Sequence, residues 1–233
     1  MKVIILSGGY GTRISSETAN KPKPMIKIGK LPILEHLINY YRKFGFSEFI
    51  VLIGYKGAVI KNYFKNKKIN FKIKFIDTGV GTLTGERLLK IRNEFKKGEN
   101  FMLTYGDGLS NINLSQLLKF HLKHKKIATL SAVRPPARFG EVYFSSDKKR
   151  IKKFQEKPQV SSGWINGGFF VFNSKIFKYL SKNQMLERQP IKKLLESKNL
   201  FAFKHNGFWQ CLDTLRDKNT LEKLNKSKNV PWK

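Results

Sequence analysis

The 233-residue chain is short of acid: 16 Asp and Glu stand against 46 Lys and Arg, a formal net charge of +30. It has one cysteine, Cys211, which excludes an internal disulfide and a thiolate metal cluster. Long apolar runs are missing as well. The longest is Phe49–Ile53, five residues, where a membrane-spanning helix needs about 18 or more. Only Val3–Leu6 separates Met1-Lys2 from Ser7-Gly8-Gly9, too short for the apolar part of a signal peptide. A cytoplasmic protein with no membrane partner is expected. Arginine is scarce too, with nine of the 46 basic residues. Arg is the preferred reader of phosphate forks and base edges. The lysines are spread along the chain, densest at Lys65–Lys68, Lys123–Lys126 and Lys148–Lys153. Solvated faces therefore account for the charge better than a nucleic-acid surface does, although a positive field helps to gather anionic substrates.

What is present suffices for a folded globule: 40% hydrophobic and 13% aromatic residues. Lys2–Leu6, Phe49–Ile53, Phe101–Tyr105 and Ala128–Val133 read as buried strands, and Phe71–Ile76 as a strand with one wet face. Ile33–Phe44, Ala58–Phe64, Arg87–Phe95 and Leu114–His124 have helical spacing. This alternation predicts a Rossmann-like, doubly wound α/β fold: a mostly parallel mixed sheet flanked by helices. After residue 134 the pattern loosens. Val142–Phe144, Ile151–Gln155, Gly167–Phe172 and Phe201–Lys204 read as strands of a small antiparallel, substrate-side region, followed by a helix over Thr214–Lys226. No repeat or linker divides the chain, so one domain over 1–233 is expected, with a nucleotide-binding half over 1–133 and a second half over 134–233.

The first strand runs into Leu6-Ser7-Gly8-Gly9-Tyr10-Gly11-Thr12-Arg13. Ligands bind at the carboxyl ends of strands in such sheets. Glycines there let backbone N–H groups approach a phosphate. The spacing is neither a dinucleotide fingerprint nor a Walker loop. Thr12 adds a hydroxyl, and Arg13 a charge able to grip a polyphosphate. Lys21-Pro22-Lys23-Pro24-Met25 follows, and its prolines stiffen the segment around Lys23. A rigid ammonium suits a phosphate whose charge builds during transfer.

Gly-Gly-x-Gly-Thr-Arg followed by Lys-Pro-Lys-Pro-Met resembles the signature of the sugar-1-phosphate nucleotidyltransferases. The resemblance continues through Asp77-Thr78-Gly79, Thr84-Gly85, Arg87-Leu88, Thr104-Tyr105-Gly106-Asp107-Gly108, Phe154-Gln155-Glu156-Lys157-Pro158 and Ile165-Asn166-Gly167-Gly168-Phe169-Phe170. It reaches Gly207-Phe208-Trp209-Gln210 and Asp213-Thr214-Leu215-Arg216-Asp217-Lys218, near the end of the chain. It is strongest to the branch that transfers a cytidylyl group. It implies the family's nucleotidyltransferase fold and the reaction of CTP with α-D-glucose 1-phosphate to give CDP-glucose and pyrophosphate, a step toward deoxysugars and surface polysaccharides.

The chain has five Asp: Asp77, Asp107, Asp147, Asp213 and Asp217. Asp107 ends a buried strand between two glycines, an uncrowded carboxylate suited to Mg²⁺, which takes one or two carboxylates plus phosphate oxygens and water. Asp213 precedes the last helix, where its residue type fits an N-cap. The resemblance instead makes it the second metal ligand, so Asp107 and Asp213 are expected to hold Mg²⁺ jointly.

The resemblance further implies that Arg13, Lys23 and Asp107 carry the catalysis. It places the nucleotide on Leu6–Arg13, Lys23, Thr82, Arg87 and Gly106. It places the sugar phosphate on Glu156, Lys157, Asn166 and Gly167, the last leaving room for a pyranose. Trp209 beside Asp213 is a candidate wall of the site. Cys211 reads as a structural thiol.

Two departures stand out. The chain lacks an insert that relatives carry between the Lys65–Asn70 region and Phe71, which leaves a homo-oligomer open. Glu86 stands where a small residue is expected. The rival readings are a nucleotidyltransferase with another sugar 1-phosphate or a non-sugar phosphate as acceptor, a catalytically silent nucleotide sensor, and a basic nucleic-acid-binding protein.

Overall fold

The computed structural model describes residues 1–137, 141–146, 149–155 and 163–233. Strand β1 (Lys2–Ser7) leads through α1 (Ser15–Thr18) and a short hairpin, β2 (Lys27–Ile28) and β3 (Leu31–Pro32), to α2 (Ile33–Lys43). Then come β4 (Glu48–Ile53), α3 (Gly57–Lys65), β5 (Lys72–Asp77), α4 (Thr84–Leu89), β6 (Asn100–Tyr105), β7 (Gly108–Ser110) and α5 (Leu114–His124). The second half holds β8 (Ala128–Val133), β9 (Glu141–Phe144), β10 (Ile151–Gln155), β11 (Ile165–Asn173), α6 (Gln189–Glu196), β12 (Leu200–His205), β13 (Trp209–Cys211) and α7 (Leu215–Asn225).

Seven of these strands form one sheet in the order β12-β8-β11-β6-β1-β4-β5. Every neighbouring pair is parallel except those of β11, which runs antiparallel to both β6 and β8. The α/β reading therefore holds, with a correction to the second half. Gly167–Phe172 and Phe201–Lys204 belong to the main sheet as β11 and β12. Among the described residues, β9 and β10 form a separate antiparallel ribbon there, and β13 pairs outside the main sheet with β7 of the first half. A strand buried on both faces carries the same apolar run whichever way it points. Direction was therefore not written in Gly167–Phe172.

Both faces of the sheet are covered. Val3, Ile5, Val51 and Met102 pack against α2, α3, α5 and α7 residues such as Leu37, Ile60, Leu117 and Leu221. Ile4, Leu6, Ile50 and Leu52 face the other way, with Leu88, Phe101, Phe172, Phe177 and Leu186. The period-two split of each run between the layers is what makes the runs continuous. Edge strand β5 carries outward Lys72 and Lys74, charges that discourage edge-to-edge pairing.

Helix ends follow from local chemistry. Asn113 caps α5 by accepting from Gln116 N at 2.9 Å. Thr214 and Asp217 form a reciprocal capping box at α7. The sequence expectation of one helix over Arg87–Phe95 was displaced: α4 begins at Thr84 and ends at Leu89, and a 3₁₀ turn covers Arg92–Glu94.

His121 of α5 is 2% exposed, and its Nδ1 meets Thr129 Oγ1 at 2.9 Å. His124 Nε2 meets the same oxygen at 2.7 Å. Burial first, and His124 second, pull the His121 pKa down to about 4. An imidazole whose folded pKa lies below its unfolded value is held neutral in the fold. Its stability is present above about pH 6.5 and is lost as pH falls toward 4. Urea unfolding between pH 7 and pH 4 should therefore lose about 3 kcal/mol through this imidazole. The His121→Gln variant should show a correspondingly flatter pH dependence.

Candidate active site

The carboxyl ends of β1, β4, β5 and β6 lie at one edge of the sheet, and the antiparallel β11 brings its amino end there too. A cavity of about 590 Å³ opens at this edge. Leu6, Ser7, Gly8, Gly9, Tyr10, Gly11, Thr12, Arg13, Lys23, Thr82, Arg87, Gly106, Asp107 and Asp213 all line it. Thus fourteen expected residues, from six stretches of chain, surround one space.

The glycine loop is shaped by close approaches. Gly11 has φ +68°, and a Cβ there would lie 3.0 Å from Thr18 Cγ2 and 3.1 Å from Lys23 Cβ. It accepts from Ile14 N at 3.1 Å, turning the chain into the 3₁₀ turn Thr12–Ile14. Gly106 donates its N–H to Leu6 O at 3.0 Å, and a Cβ would strike Ser7 Oγ at 2.6 Å. Ser7 Oγ is buried, with no hydrogen-bond partner among the described residues.

Lys23 sits in a 3₁₀ turn set by Pro22 and Pro24, with Met25 N donating to Pro22 O at 2.8 Å. It is 8% exposed. Its Nζ donates to Asp107 Oδ2 at 2.7 Å and to Asp213 Oδ1. Burial pulls its pKa down, but Asp107 and Asp213 more than offset this and raise it above the ordinary lysine value. Asp213 Oδ2 also accepts from the exposed Arg13 Nη1 at 2.6 Å. Burial raises the Asp213 pKa, but Lys23 and then Arg13 hold it below the ordinary aspartate value.

The two aspartates meet because β7 and β13 pair antiparallel, with Gly108 opposite Cys211 and Leu212 N donating to Asp107 O at 2.8 Å. The N-cap of α7 is Thr214, not Asp213. Asp217 Oδ2 accepts from the backbone of both Asp213 and Thr214. The Asp213 carboxylate is thereby left to face Lys23. Nearby Cys211 has its thiol pKa pushed up to about 12, first by burial and then by the aspartates, so it is a neutral wall residue.

Arg87 lines the cavity yet is 4% exposed, and its hydrogen bonds go inward. Nη2 donates to Gly8 O at 2.9 Å, and Nη1 to Ile53 O at 3.1 Å and to Thr78 Oγ1. A Cβ on Gly8 would lie 2.1 Å from Arg87 Nη1. The guanidinium thus buttresses the glycine loop from below. The Thr82 hydroxyl is likewise spent, donating to Thr78 O at 2.6 Å.

On the other side, Asn166 Nδ2 donates to Tyr105 Oη at 3.4 Å, and Asn166 Oδ1 accepts from Gly168 N at 2.9 Å. This closes a bulge in β11 at Gly167-Gly168, where the register with β8 shifts. The missing Cβ of Gly167 faces Val133 Cγ1 at 2.6 Å and Ser131 Oγ at 2.7 Å. That glycine makes room for strand β8, not for a sugar ring. Trp209 lines the cavity and donates from Nε1 to Gly167 O at 2.7 Å. Glu156 and Lys157 lie outside the described residues.

Three further residues join the site, of which only Thr84 lies in a motif noted in the sequence. Thr84 and Met185 line the cavity, and Glu187 lies behind it, accepting from Thr84 Oγ1 at 2.7 Å and from Tyr105 Oη. Glu86, the unexpected acid, accepts from Asn183 N at 2.9 Å and pairs with Lys90 at 3.5 Å. It anchors α4 to the segment that carries Glu187.

Comparison with known proteins agrees with this fold. The crystal structure of HddC from Yersinia pseudotuberculosis superposes with TM-score 0.75 at 23% identity, over 97% of this chain and 99% of that one. A UDP-glucose pyrophosphorylase in complex with UDP-glucose gives TM-score 0.75 at 16% identity, over 98% and 99%. Both establish the fold. The glucose-1-phosphate cytidylyltransferase of Salmonella typhi is 40% identical over 256 residues, covering 100% of this chain and 99% of that protein. That span exceeds the 233 residues here, as a segment missing from this chain requires. The nucleotidyl transferase sequence profile matches residues 2–217, from the first strand to the capping Asp217. With that match taking in the glycine loop, Lys23 and both aspartates, the chain belongs to the nucleotidyl transferase family.

Proposed function

We propose that this chain is a glucose-1-phosphate cytidylyltransferase, converting CTP and α-D-glucose 1-phosphate to CDP-glucose and pyrophosphate. The identity of its full-length relative supports the substrates. The observation that carries the chemistry is the Lys23 ammonium held between Asp107 and Asp213 on the wall of the cavity.

A sugar-phosphate oxygen attacks the α-phosphorus of the nucleotide and pyrophosphate departs in line, so catalysis is positioning and charge neutralisation. The loop over Gly8–Gly11 offers backbone N–H groups to the triphosphate, and Arg13 adds charge at the mouth. Lys23 is fixed by its prolines and by two carboxylates, so its ammonium is already ordered when a phosphate arrives. Arg87 acts one step back, holding the Gly8 carbonyl in place.

The donor set fits Mg²⁺. Asp107 and Asp213 supply hard oxygens already facing a cation, while no group of three His, Cys, Asp or Glu among the described residues offers an all-protein cage. When bound there, Mg²⁺ supplies further neutralisation of phosphate charge.

A pyrophosphate-release assay crossing four nucleoside triphosphates with a panel of sugar 1-phosphates should respond most to CTP with glucose 1-phosphate, and only with Mg²⁺ present. A stronger response to another pair would move the assignment to a different acceptor or base. Lys23→Ala should lower kcat by about 10²–10³, and a fall under tenfold would remove it from the mechanism. Asp107→Asn and Asp213→Asn should each abolish turnover while circular dichroism stays native. Arg87→Lys strands buried carbonyls, a cost of about 1–3 kcal/mol in urea unfolding. It should raise the KM for CTP more than that for the acceptor.

A further inference from the structure

Glu187 is one of only 16 acidic side chains in the chain. It belongs to neither the metal site nor an ion pair among the described residues. It lies between α6 and the segment before it, behind the wall of the cavity, and joins parts of the site that are far apart in sequence. Its Oε2 accepts from Thr84 Oγ1 at 2.7 Å, at the start of the helix that carries Arg87. Its Oε1 accepts from the hydroxyl of Tyr105, at the end of the strand that delivers Asp107. Tyr105 Oη in turn meets Asn166 Nδ2 at 3.4 Å, at the amino end of β11.

The polarity of this chain of bonds is forced. A carboxylate only accepts, so each hydroxyl gives its single proton to Glu187 and is left as an acceptor on its far side. Thr84 Oγ1 then accepts from Leu186 N at 2.9 Å. Tyr105 Oη accepts from the Asn166 amide. The other end of that amide, Oδ1, takes Gly168 N at 2.9 Å. Asn166 is pinned at both ends, with oxygen toward the bulge and nitrogen toward Tyr105. Its remaining N–H has no partner among the described residues and can be offered to an acceptor oxygen. On the nucleotide side, Gly85 N and Glu86 N both donate to Gln184 O, at 3.0 and 3.2 Å, which fixes α4 to the Glu187 segment. A Cβ on Gly85 would strike Gln184 O at 2.7 Å, so the approach is built into the sequence.

We propose that Glu187 is a positioning residue for both substrates, holding Thr84 on the nucleotide side and, through Tyr105, orienting the Asn166 amide on the sugar-phosphate side. Naming those sides rests on the nucleotidyltransferase reading above. Glu187 touches no substrate; it acts through Thr84 and Tyr105, which line the cavity.

The test is steady-state kinetics on the substrate pair that wild-type protein turns over fastest in the panel. A best pair other than CTP and glucose 1-phosphate would fail the substrate reading alone, because the Glu187 comparison is internal to one pair. Glu187→Ala should raise the KM for both substrates about tenfold and lower kcat/KM by about 10², the scale of a misplaced but intact site. Tyr105→Phe removes only the sugar-side arm. It should raise the acceptor KM about tenfold and leave the nucleotide KM within twofold. The double variant should have an acceptor KM no higher than Glu187→Ala alone, since both act through one chain of bonds. Glu187→Gln keeps the volume but can accept from only one hydroxyl, so it should also raise a KM. It carries the test if Glu187→Ala unfolds at assay temperature. Acceptor KM values within twofold of wild type in both Glu187 variants, or penalties of Glu187→Ala and Tyr105→Phe that multiply, would overturn the proposal.

Discussion

The Lys23 ammonium between two carboxylates is the constraint around which the site is assembled. Lys23 lies 84 residues from Asp107 and 190 from Asp213. A cation 8% exposed is tolerable only when paired, and removal of one partner of such a set leaves an uncompensated charge. The three positions must therefore arrive together. Lys23 is delivered by prolines, Asp107 by β6, and Asp213 by the pairing of β13 with β7. Leu212 N on Asp107 O ties the two carboxylate segments directly. None of these devices carries a charge itself, yet each fixes one that lines the cavity.

The antiparallel strand β11 solves a related problem. In a wholly parallel sheet, only strand ends and the loops that follow them reach the ligand edge. Reversing one central strand lets the beginning of a strand reach it as well. Asn166 is then paired with Ala132 of β8, and Phe169, just past Gly167-Gly168, with Thr104 of β6. The bulge at Gly167-Gly168 aims Asn166 along the edge. The aromatic ring of Tyr105 takes the space beside Gly168, where a Cβ would lie 2.5 Å from Tyr105 Cδ2. The second half of the chain thus brings Asn166 to the ligand edge on a paired strand, although its sequence looks less regular than the first.

Much of this is legible in the sequence alone. The β-α alternation, the glycine loop, the stiff Lys23 and the scarce aspartates all have signals within a dozen residues, and the cavity gathers them. Partners distant in sequence were not legible. Arg87 looks like an anion reader in sequence, but its guanidinium is turned toward backbone carbonyls from β4 and the glycine loop. Gly167 looks like a gap left for a ligand, but the gap belongs to β8. Asp213 fits an N-cap by local rules, and only the Thr214–Asp217 box releases it. Glu187 follows an irregular segment and precedes a helix that the spacing did not reveal. Its meaning lies wholly in Thr84 and Tyr105.

The +30 charge divides along the same line. At the site, Arg13 and Lys23 face Asp107 and Asp213, two cations against two carboxylates. That balance gives the site no long reach of its own. The excess charge belongs to lysines elsewhere, such as the exposed Lys72 on the sheet edge, and exposed charges are screened beyond about 10 Å in 0.1 M salt. The partly buried set around Lys23 is far less open to screening. The charge excess and the ordered charges of the cavity are thus separate sets: the abundant lysines lie mostly on solvated faces, and two of the rare aspartates hold the buried ammonium.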